Sequence, residues 1–299
     1  MEGQKSKEVQ AVSVFLVILL VSCTQKPSWA TEGEKLVQLS GSPIRKLGVL
    51  SDIHGDLNKL DALLAQLKKS KVDGILVAGD LVLNEELRYG RPDAFEDGEE
   101  LAQVLDHLEE AGIPLWVIPG NHEEQGVYEE AFKKERRGLW DLAHFRLVDL
   151  KGINIVSLPG YYLREQGPYQ FLPKDGFFLS EVEIQSLPER FSKFKDRDPF
   201  LVITHGPPKS SIENGVDVVP GVGHIGSEAL RTALIENKVA LAVFGHIHEG
   251  GPQGENGAEK IEEGNWSSQL WLNPGAVAEA HAVQLELDGN QVRWNQIRE

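Results

Sequence analysis

The sequence predicts an α/β fold with parallel strands, and two observations carry that prediction. Apolar β-type runs alternate with segments of helical spacing through the first half of the chain, and five runs end in residues of the kinds that bind metal ions. Those endings are Asp52-Ile53-His54-Gly55-Asp56, Gly79-Asp80, Gly120-Asn121-His122-Glu123, Thr204-His205-Gly206 and Gly245-His246-Ile247-His248. Open α/β sheets gather ligands outside the carboxyl ends of their strands, so the five endings are expected to meet at one edge.

The folded domain is expected to start near Ile44, with Lys46 to Ser51 as a short β run. Leu60, Leu63, Leu64 and Leu67 then recur at helical spacing over Leu57 to Lys69. Asp73 to Ala78 returns to strand, Leu101, Val104, Leu105 and Leu108 mark a helix over Glu99 to Ala111, and Ile113 to Ile118 is again a β run. This β-α-β-α-β order, closed by right-handed crossovers, makes the strands parallel and brings Asp52, Asp80 and Asn121 together. The second half has less helix. Gly152 to Leu158, Phe200 to Thr204, Val239 to Phe244 and Gln269 to Leu272 read as strands, and Glu228 to Glu236 as a helix. Another helix opens at Ser180, where Ser180 and Glu183 fit a capping box. Ala282 to Ile297 alternates around Asp288-Gly289, a hairpin signal. The Gly-rich acidic segment Glu249 to Asn265 is read as a solvated connector in preference to a lid. The aromatic group Tyr161, Tyr162, Tyr169, Phe171, Phe177 and Phe178 is read as core and edge packing in preference to a stacking surface for a substrate ring.

A chain of 299 residues, 41% hydrophobic and 25% charged, can bury a substantial core. Its formal net charge of -16 works against a general grip on phosphate backbones, which needs clustered Lys and Arg, so nucleic acid is not an expected partner. Bound cations would offset that charge locally, and a small anionic substrate stays compatible with it.

Lys5 and Lys7 precede an apolar run from Ala11 to Val21, which suits the core of an export signal and falls short of the roughly 20 residues that span a bilayer. Leu20-Val21-Ser22-Cys23 resembles a bacterial lipoprotein signal, in which cleavage before Cys leaves the thiol to carry a lipid. Cys23 is the only cysteine, so an intramolecular disulfide is excluded, and the residue is lipidated, lost with the signal or structural. Cleavage after Ser28-Trp29-Ala30 is the rival pattern. The expected organisation is a signal over 1–22, a tether over 23–43 that can also supply a first edge strand, and one folded domain over 44–299. The expected location is outside the cytoplasm, on a membrane through a lipid at Cys23 or in free secreted form.

The motifs have a chemical logic. Two residues apart in extended chain, Asp52 and His54 point to one side and can hold one ion together, and His246 and His248 share that spacing. Asp80 has two oxygens, enough to bridge two ions roughly 3.5–4 Å apart. Asn121 adds a carbonyl oxygen without charge. Singly, each motif is weak: a Gly-Asp after a strand is usually a turn, and an isolated His usually a hydrogen-bonded structural residue. Five in series point to one site. His107, His144 and His281 lie in no such setting, and His224 lies in a Gly-rich loop, so all four are read as structural.

The series Asp-x-His, Gly-Asp, Gly-Asn-His-Glu, Thr-His-Gly-Pro-Pro and Gly-His-Ile-His, from Lys46 to about Ala276, resembles the calcineurin-like metallophosphoesterase superfamily. The resemblance implies a four-layer α/β/β/α sandwich with two mixed sheets and a binuclear metal site at strand ends. It implies that Asp52, His54 and His248 bind one ion, that Asn121, His205 and His246 bind the other, and that Asp80 bridges them. His122 matches the residue that contacts the phosphate and can protonate the leaving oxygen, with Glu123 or Asp56 available to orient it. Protein phosphatases of the superfamily follow the second motif with Asp-Arg-Gly, whereas here Asp80 is followed by Leu81-Val82-Leu83, with Arg88 and Arg91 further on. A protein phosphatase is therefore not expected. Thr204-His205-Gly206-Pro207-Pro208 and Asn273-Pro274-Gly275 are similar to segments of small prokaryotic phosphoesterases and of animal metallophosphoesterase-domain proteins.

The expected activity is metal-dependent hydrolysis of a small phosphodiester or phosphomonoester, nucleotides among them, by a hydroxide bridging two divalent ions. The His and carboxylate donors suit Mn, Fe, Zn or Ni and do not choose among them. Two alternatives stand beside it. A nuclease or phospholipid-directed hydrolase calls for a basic groove or a large apolar rim that the sequence does not display, and a metal-binding protein without turnover usually lacks ligands that are all present here.

Overall fold

Alternate burial along the strands divides the chain into four layers. The computed structural model describes residues 36–39, 41–83, 97–144, 146–162, 176–194 and 199–298. The segment before Leu36, with Cys23, lies outside the described residues, as do Arg88, Arg91, Tyr169 and Phe171.

One sheet has six strands, in the spatial order Gln291–Ile297, Ala282–Asp288, Lys46–Leu50, Gly74–Ala78, Leu115–Ile118, Leu139–Asp141. The last four are mutually parallel, and the C-terminal hairpin joins Lys46–Leu50 antiparallel. The other sheet has eight strands, in the order Leu36–Gln38, Leu147–Leu150, Ile153–Leu158, Phe200–Thr204, Leu241–Val243, Leu270–Asn273, Gln253–Glu255, Lys260–Ile261. Its four central strands, Ile153–Leu158 to Leu270–Asn273, are parallel.

The two sheets are stacked, and the period of two along each strand decides what each residue touches. Leu47, Val49, Leu76, Ala78, Trp116 and Ile118 share one buried core with Ile153, Ile155, Leu201, Ile203, Leu241 and Val243 from the second sheet. The intervening residues Leu50, Ile75, Val77, Leu115 and Val117 pack instead with Leu60, Leu63, Leu64, Leu101, Val104 and Leu105, which belong to helices Leu57–Lys69 and Asp97–Glu110. On the far face of the second sheet, Val156, Leu158, Val202 and Ala242 pack with Ile184, Leu187 and Leu230 of helices Glu181–Gln185, Leu187–Ser192 and Glu228–Glu236. The result is the expected α/β/β/α sandwich, a mixed α/β fold with two large mixed sheets.

Local signals place the helix starts. Asp56 caps Leu57–Lys69 by accepting the Lys59 N–H, and Lys68 and Lys69 stand in the last turn, where cations suit the helix dipole. Ser180 and Glu183 form the capping box of Glu181–Gln185.

Of the two readings of the segment before Ile44, tether or first edge strand, the second holds for Leu36–Gln38, which pairs parallel with Leu147–Asp149 at the edge of the large sheet, where Leu36 adds to the outer core. One segment differs from its sequence reading. The segment Glu249 to Asn265, expected to be a solvated connector, contains an edge hairpin: Gln253–Glu255 pairs antiparallel with both Leu270–Asn273 and Lys260–Ile261. Its glycines read as loop but answer to packing. A Cβ on Gly254 would lie 2.6 Å from Leu270 Cδ1 and 2.8 Å from Trp294 Nε1, so only glycine lets that strand lie against its neighbours. No helix among the described residues is long and apolar enough to cross a membrane.

Candidate metal centre

Each polar ending leaves its strand by a sharp turn. Asp52, His54, Asp80 and His246 have φ of 53°, 49°, 52° and 70°, four of the seven non-glycine residues with positive φ among the described residues. Such backbone costs about 1–3 kcal/mol per residue and persists only where neighbours fix it. Here they do: Asp52 N–H donates to Gly79 O at 3.0 Å, and the N–H groups of Ile53 and His54 donate to Asp80 O at 2.7 and 3.1 Å. The motif glycines leave room for the carboxylates. A Cβ on Gly120 would sit 2.1 Å from Asp80 Oδ1, and one on Gly245 would sit 2.6 Å from Asp52 Oδ2.

The endings converge as three overlapping groups in which all donor atoms lie within 4.8 Å of one another: Asp52, His54, His248; His54, Asp80, His122; and Asp80, His205, His246. In the first, His54 Nε2 faces His248 Nε2 at 3.1 Å, and His248 Nε2 lies 3.3 Å from Asp52 Oδ1. In the last, Asn121 Oδ1 joins as a further donor, 2.9 Å from His205 Nε2 and 2.7 Å from His246 Nδ1. Asp80 Oδ2 lies 3.2 Å from His205 Nε2 and 3.8 Å from His122 Nε2, so its carboxylate stands between the groups. All eight residues singled out in the sequence are brought to one place.

The tautomers bear on whether metal fits. His205 Nδ1 lies 2.7 Å from Ala78 O and His54 Nδ1 lies 3.3 Å from Val82 O, so each ring is placed to donate Nδ1–H to a carbonyl and turn a lone pair on Nε2 inward. Inward lone pairs then meet the oxygens of Asn121, Asp80 and Asp52, an arrangement that repels itself unless a cation sits among them. The donor set therefore fits divalent metal ions.

Charge distribution agrees. Burial works against the Asp80 anion, but His205 and His122 hold it well below the usual carboxylate range, and His248 and His205 likewise pull Asp52 down against its burial. Burial also opposes the His205 imidazolium, yet Asp80 beside it pushes the group up to about 9, a proton standing where a cation is wanted. Burial, with the neighbouring His205 charge, pushes His246 down to about 3 and keeps its ring neutral, the form a metal ligand needs.

Glu123 departs from its sequence reading. Its carboxylate does not turn to His122 but accepts the backbone N–H groups of Gly120, Asp80, Leu81 and Val82 at 2.6, 3.2, 2.7 and 3.2 Å. It clamps the Asp80 loop to the Asn121 loop. Burial and the nearby Asp80 push its carboxyl up to about 8, against those N–H donors. Asp56 is likewise committed elsewhere, to the Lys59 N–H and, at 2.9 Å, the Lys59 ammonium. The sequence reading also missed Asn273, whose buried amide donates to Ile247 O at 2.8 Å and Val216 O at 3.2 Å and thereby fixes the turn between His246 and His248. Its Asn-Pro-Gly setting was the available signal. In the aromatic group, Phe177 is buried against Tyr128, and Tyr161 stacks on Tyr162 at 4.5 Å and lies against the His246 ring at 4.2 Å. His107 pairs with Asp61 at 2.8 Å, and His144 pairs with Asp141.

A family model described as calcineurin-like phosphoesterase matches residues 45–250. Among solved structures, a protein of Thermus thermophilus superposes with a TM-score of 0.57 at 15% identity over 85% of this chain and 100% of that one. A dimetal phosphatase from Danio rerio gives 0.56 at 14% identity over 86% and 99%, and a putative 5′-nucleotidase from Staphylococcus aureus gives 0.52 at 16% identity over 84% and 53%. At these identities the likeness speaks for the fold. A stretch of 56 residues is 43% identical to a probable rhamnogalacturonate lyase C of Emericella nidulans, but it is 18% of this chain and 5% of that protein's length.

Proposed function

The chain belongs to the calcineurin-like phosphoesterase family, and from that premise we propose that it hydrolyses a small phosphate ester, mono- or diester, with two divalent transition-metal ions. The carrying observation is the convergence of ring nitrogens of His54, His248 and His205 and the Asn121 side-chain oxygen around two buried aspartates. Asp52, His54 and His248 would hold one ion, Asn121, His205 and His246 the other, with Asp80 shared. When bound, such a pair neutralises phosphoryl charge and lowers the pKa of water. The chain's own residues do the rest. His122, whose backbone N–H donates to Asp80 Oδ1 at 3.0 Å, binds a phosphoryl oxygen and gives a proton to the leaving oxygen as the ester P–O bond breaks. Glu123 holds the two loops at fixed spacing while this happens.

The test is a panel of phosphate monoesters and diesters, with metal-stripped protein reloaded by Mn, Fe, Zn or Ni. Hydrolysis is expected only after reloading, and removal by a chelator should reverse it. Failure to cleave any ester with any metal sinks the reading.

For location we propose the lipoprotein route, motivated by Lys5, Lys7, the apolar run and Leu20-Val21-Ser22-Cys23. Mature protein should begin at Cys23 and partition with membranes, and Cys23→Ser should release it or block processing. One acyl chain anchors only marginally, so more than one is expected. A mature N-terminus at Thr31 in N-terminal sequencing would instead mean simple secretion.

A further inference from the structure

The loop between His205 and helix Glu228–Glu236 carries a small hairpin, Val218–Val219 paired antiparallel with Gly223–His224. It is attached to the metal centre at both ends. At its base, Asn273 donates to Val216 O and to Ile247 O, the carbonyl between His246 and His248, and a Cβ on Gly250 would lie 2.5 Å from Val216 O. Val218–Val219 packs against the turn His248–Gly250. At its exit, the Tyr162 hydroxyl lies 2.9 Å from Ile225 O and 3.1 Å from Pro207 O, while the adjoining Tyr161 ring rests on His246. The hairpin therefore packs against the segment that bears His246 and His248, with Val222 half exposed at its tip.

His224 is the chemically active side chain on it. Its ring is 29% exposed, and Nδ1 lies 2.8 Å from Oδ1 of the fully buried Asp217. Asp217 is itself fixed, since its Oδ2 accepts the Gly226 N–H at 2.9 Å. A carboxylate on Nδ1 sets the tautomer of the neutral ring, with the hydrogen on Nδ1 and the lone pair on Nε2. Asp217 also stops the ring from turning. The hairpin does not need this pair to close, because Val218 N–H already donates to Gly215 O and Ile225 N–H to Asp217 O. An oriented acceptor on an element fastened to the reacting centre is suited to reading the part of an ester beyond its phosphorus.

We propose that His224 Nε2 accepts a hydrogen bond from a hydroxyl on the alcohol part of the substrate, so that the site favours phosphate esters of sugars, nucleosides or polyols over simple aryl esters. The inference rests on the phosphoesterase reading above. A neutral hydrogen bond at such a site corresponds to about a 5- to 10-fold preference.

The experiment compares ribose 5-phosphate with phenyl phosphate on metal-loaded wild type, His224→Ala and His224→Asn, the last retaining an amide that can still bond Asp217. Both variants are expected to lose about 5- to 10-fold in kcat/KM on ribose 5-phosphate and less than about twofold on phenyl phosphate, at unchanged melting temperature. Equal changes on the two esters, or none, overturn the inference. Should His224→Ala fail to fold, His224→Asn decides by the same ratio. Should wild type hydrolyse neither ester, the phosphoesterase reading is what fails, and calorimetric binding of the same two compounds then decides the role of His224. A preference for ribose 5-phosphate that disappears in the variants supports the role, and an unchanged ratio of affinities overturns it.

Discussion

Asp80→Ala is expected to bring turnover below detection and to leave the protein with at most one tightly held ion. Asp80 is 2% exposed, its Oδ2 lies 3.2 Å from His205 Nε2, its Oδ1 accepts the His122 N–H, and one of its oxygens stands within 4.8 Å of a His54 ring nitrogen, so one carboxylate lies between the two halves of the centre and holds the His122 loop. Removing it withdraws a shared donor from two ions and leaves like charges on them uncompensated in a buried place. Asp80→Asn keeps the shape and one oxygen, so it should retain the fold and lose the second ion. Elemental analysis alongside kinetics checks this. Two ions and measurable turnover in Asp80→Ala, or active wild type with fewer than two, would falsify the bridging role.

The second large effect is on the proton. His122→Ala should keep both metals, since its ring lies 3.8 Å from Asp80 and belongs to neither three-residue set assigned to an ion. Turnover should fall by roughly 10²- to 10⁴-fold, the usual worth of a positioned acid. The fall should shrink for nitrophenyl esters, whose leaving group needs little help from a proton. An equal loss for good and poor leaving groups restricts His122 to binding phosphate, and unchanged turnover removes it from the reaction.

Much of this was readable because the relevant signals are local. Helix Leu57–Lys69 has the bounds its leucine spacing predicts, and the Ser180 and Glu183 pair caps the helix it announces. The five polar strand endings converge because strand direction and crossover hand leave them little choice. What escaped were contacts made across the fold. Glu123 looks like a partner for the histidine beside it, yet the fold brings it the N–H groups of Asp80, Leu81 and Val82, some forty positions earlier, as the separations of 43, 42 and 41 show. Asn273 reads as a turn residue, and only the packed structure reveals which carbonyls it holds. The Glu249 to Asn265 segment misled for the converse reason. Glycine marks loops when backbone turns, but at Gly254 it marks a place where a tryptophan from the C-terminal hairpin leaves no space.

The origin of the donors has a consequence for how the protein is made. Asp52, His54, Asp80 and Asn121 follow strands of the six-stranded sheet, while His205, His246 and His248 follow strands of the other. Each donor set proposed for an ion thus draws on both sheets, and His54 meets His248 across 194 positions. A nascent chain ending before Leu241 owns Asp52 and His54 without His248, and Asn121 and His205 without His246. On the proposed ligand assignment, metal loading at native affinity is expected to be a late event, timed by the docking of one sheet on the other. Bound ions would then act as rivets along that seam, each harder to withdraw while the two sheets stay closed.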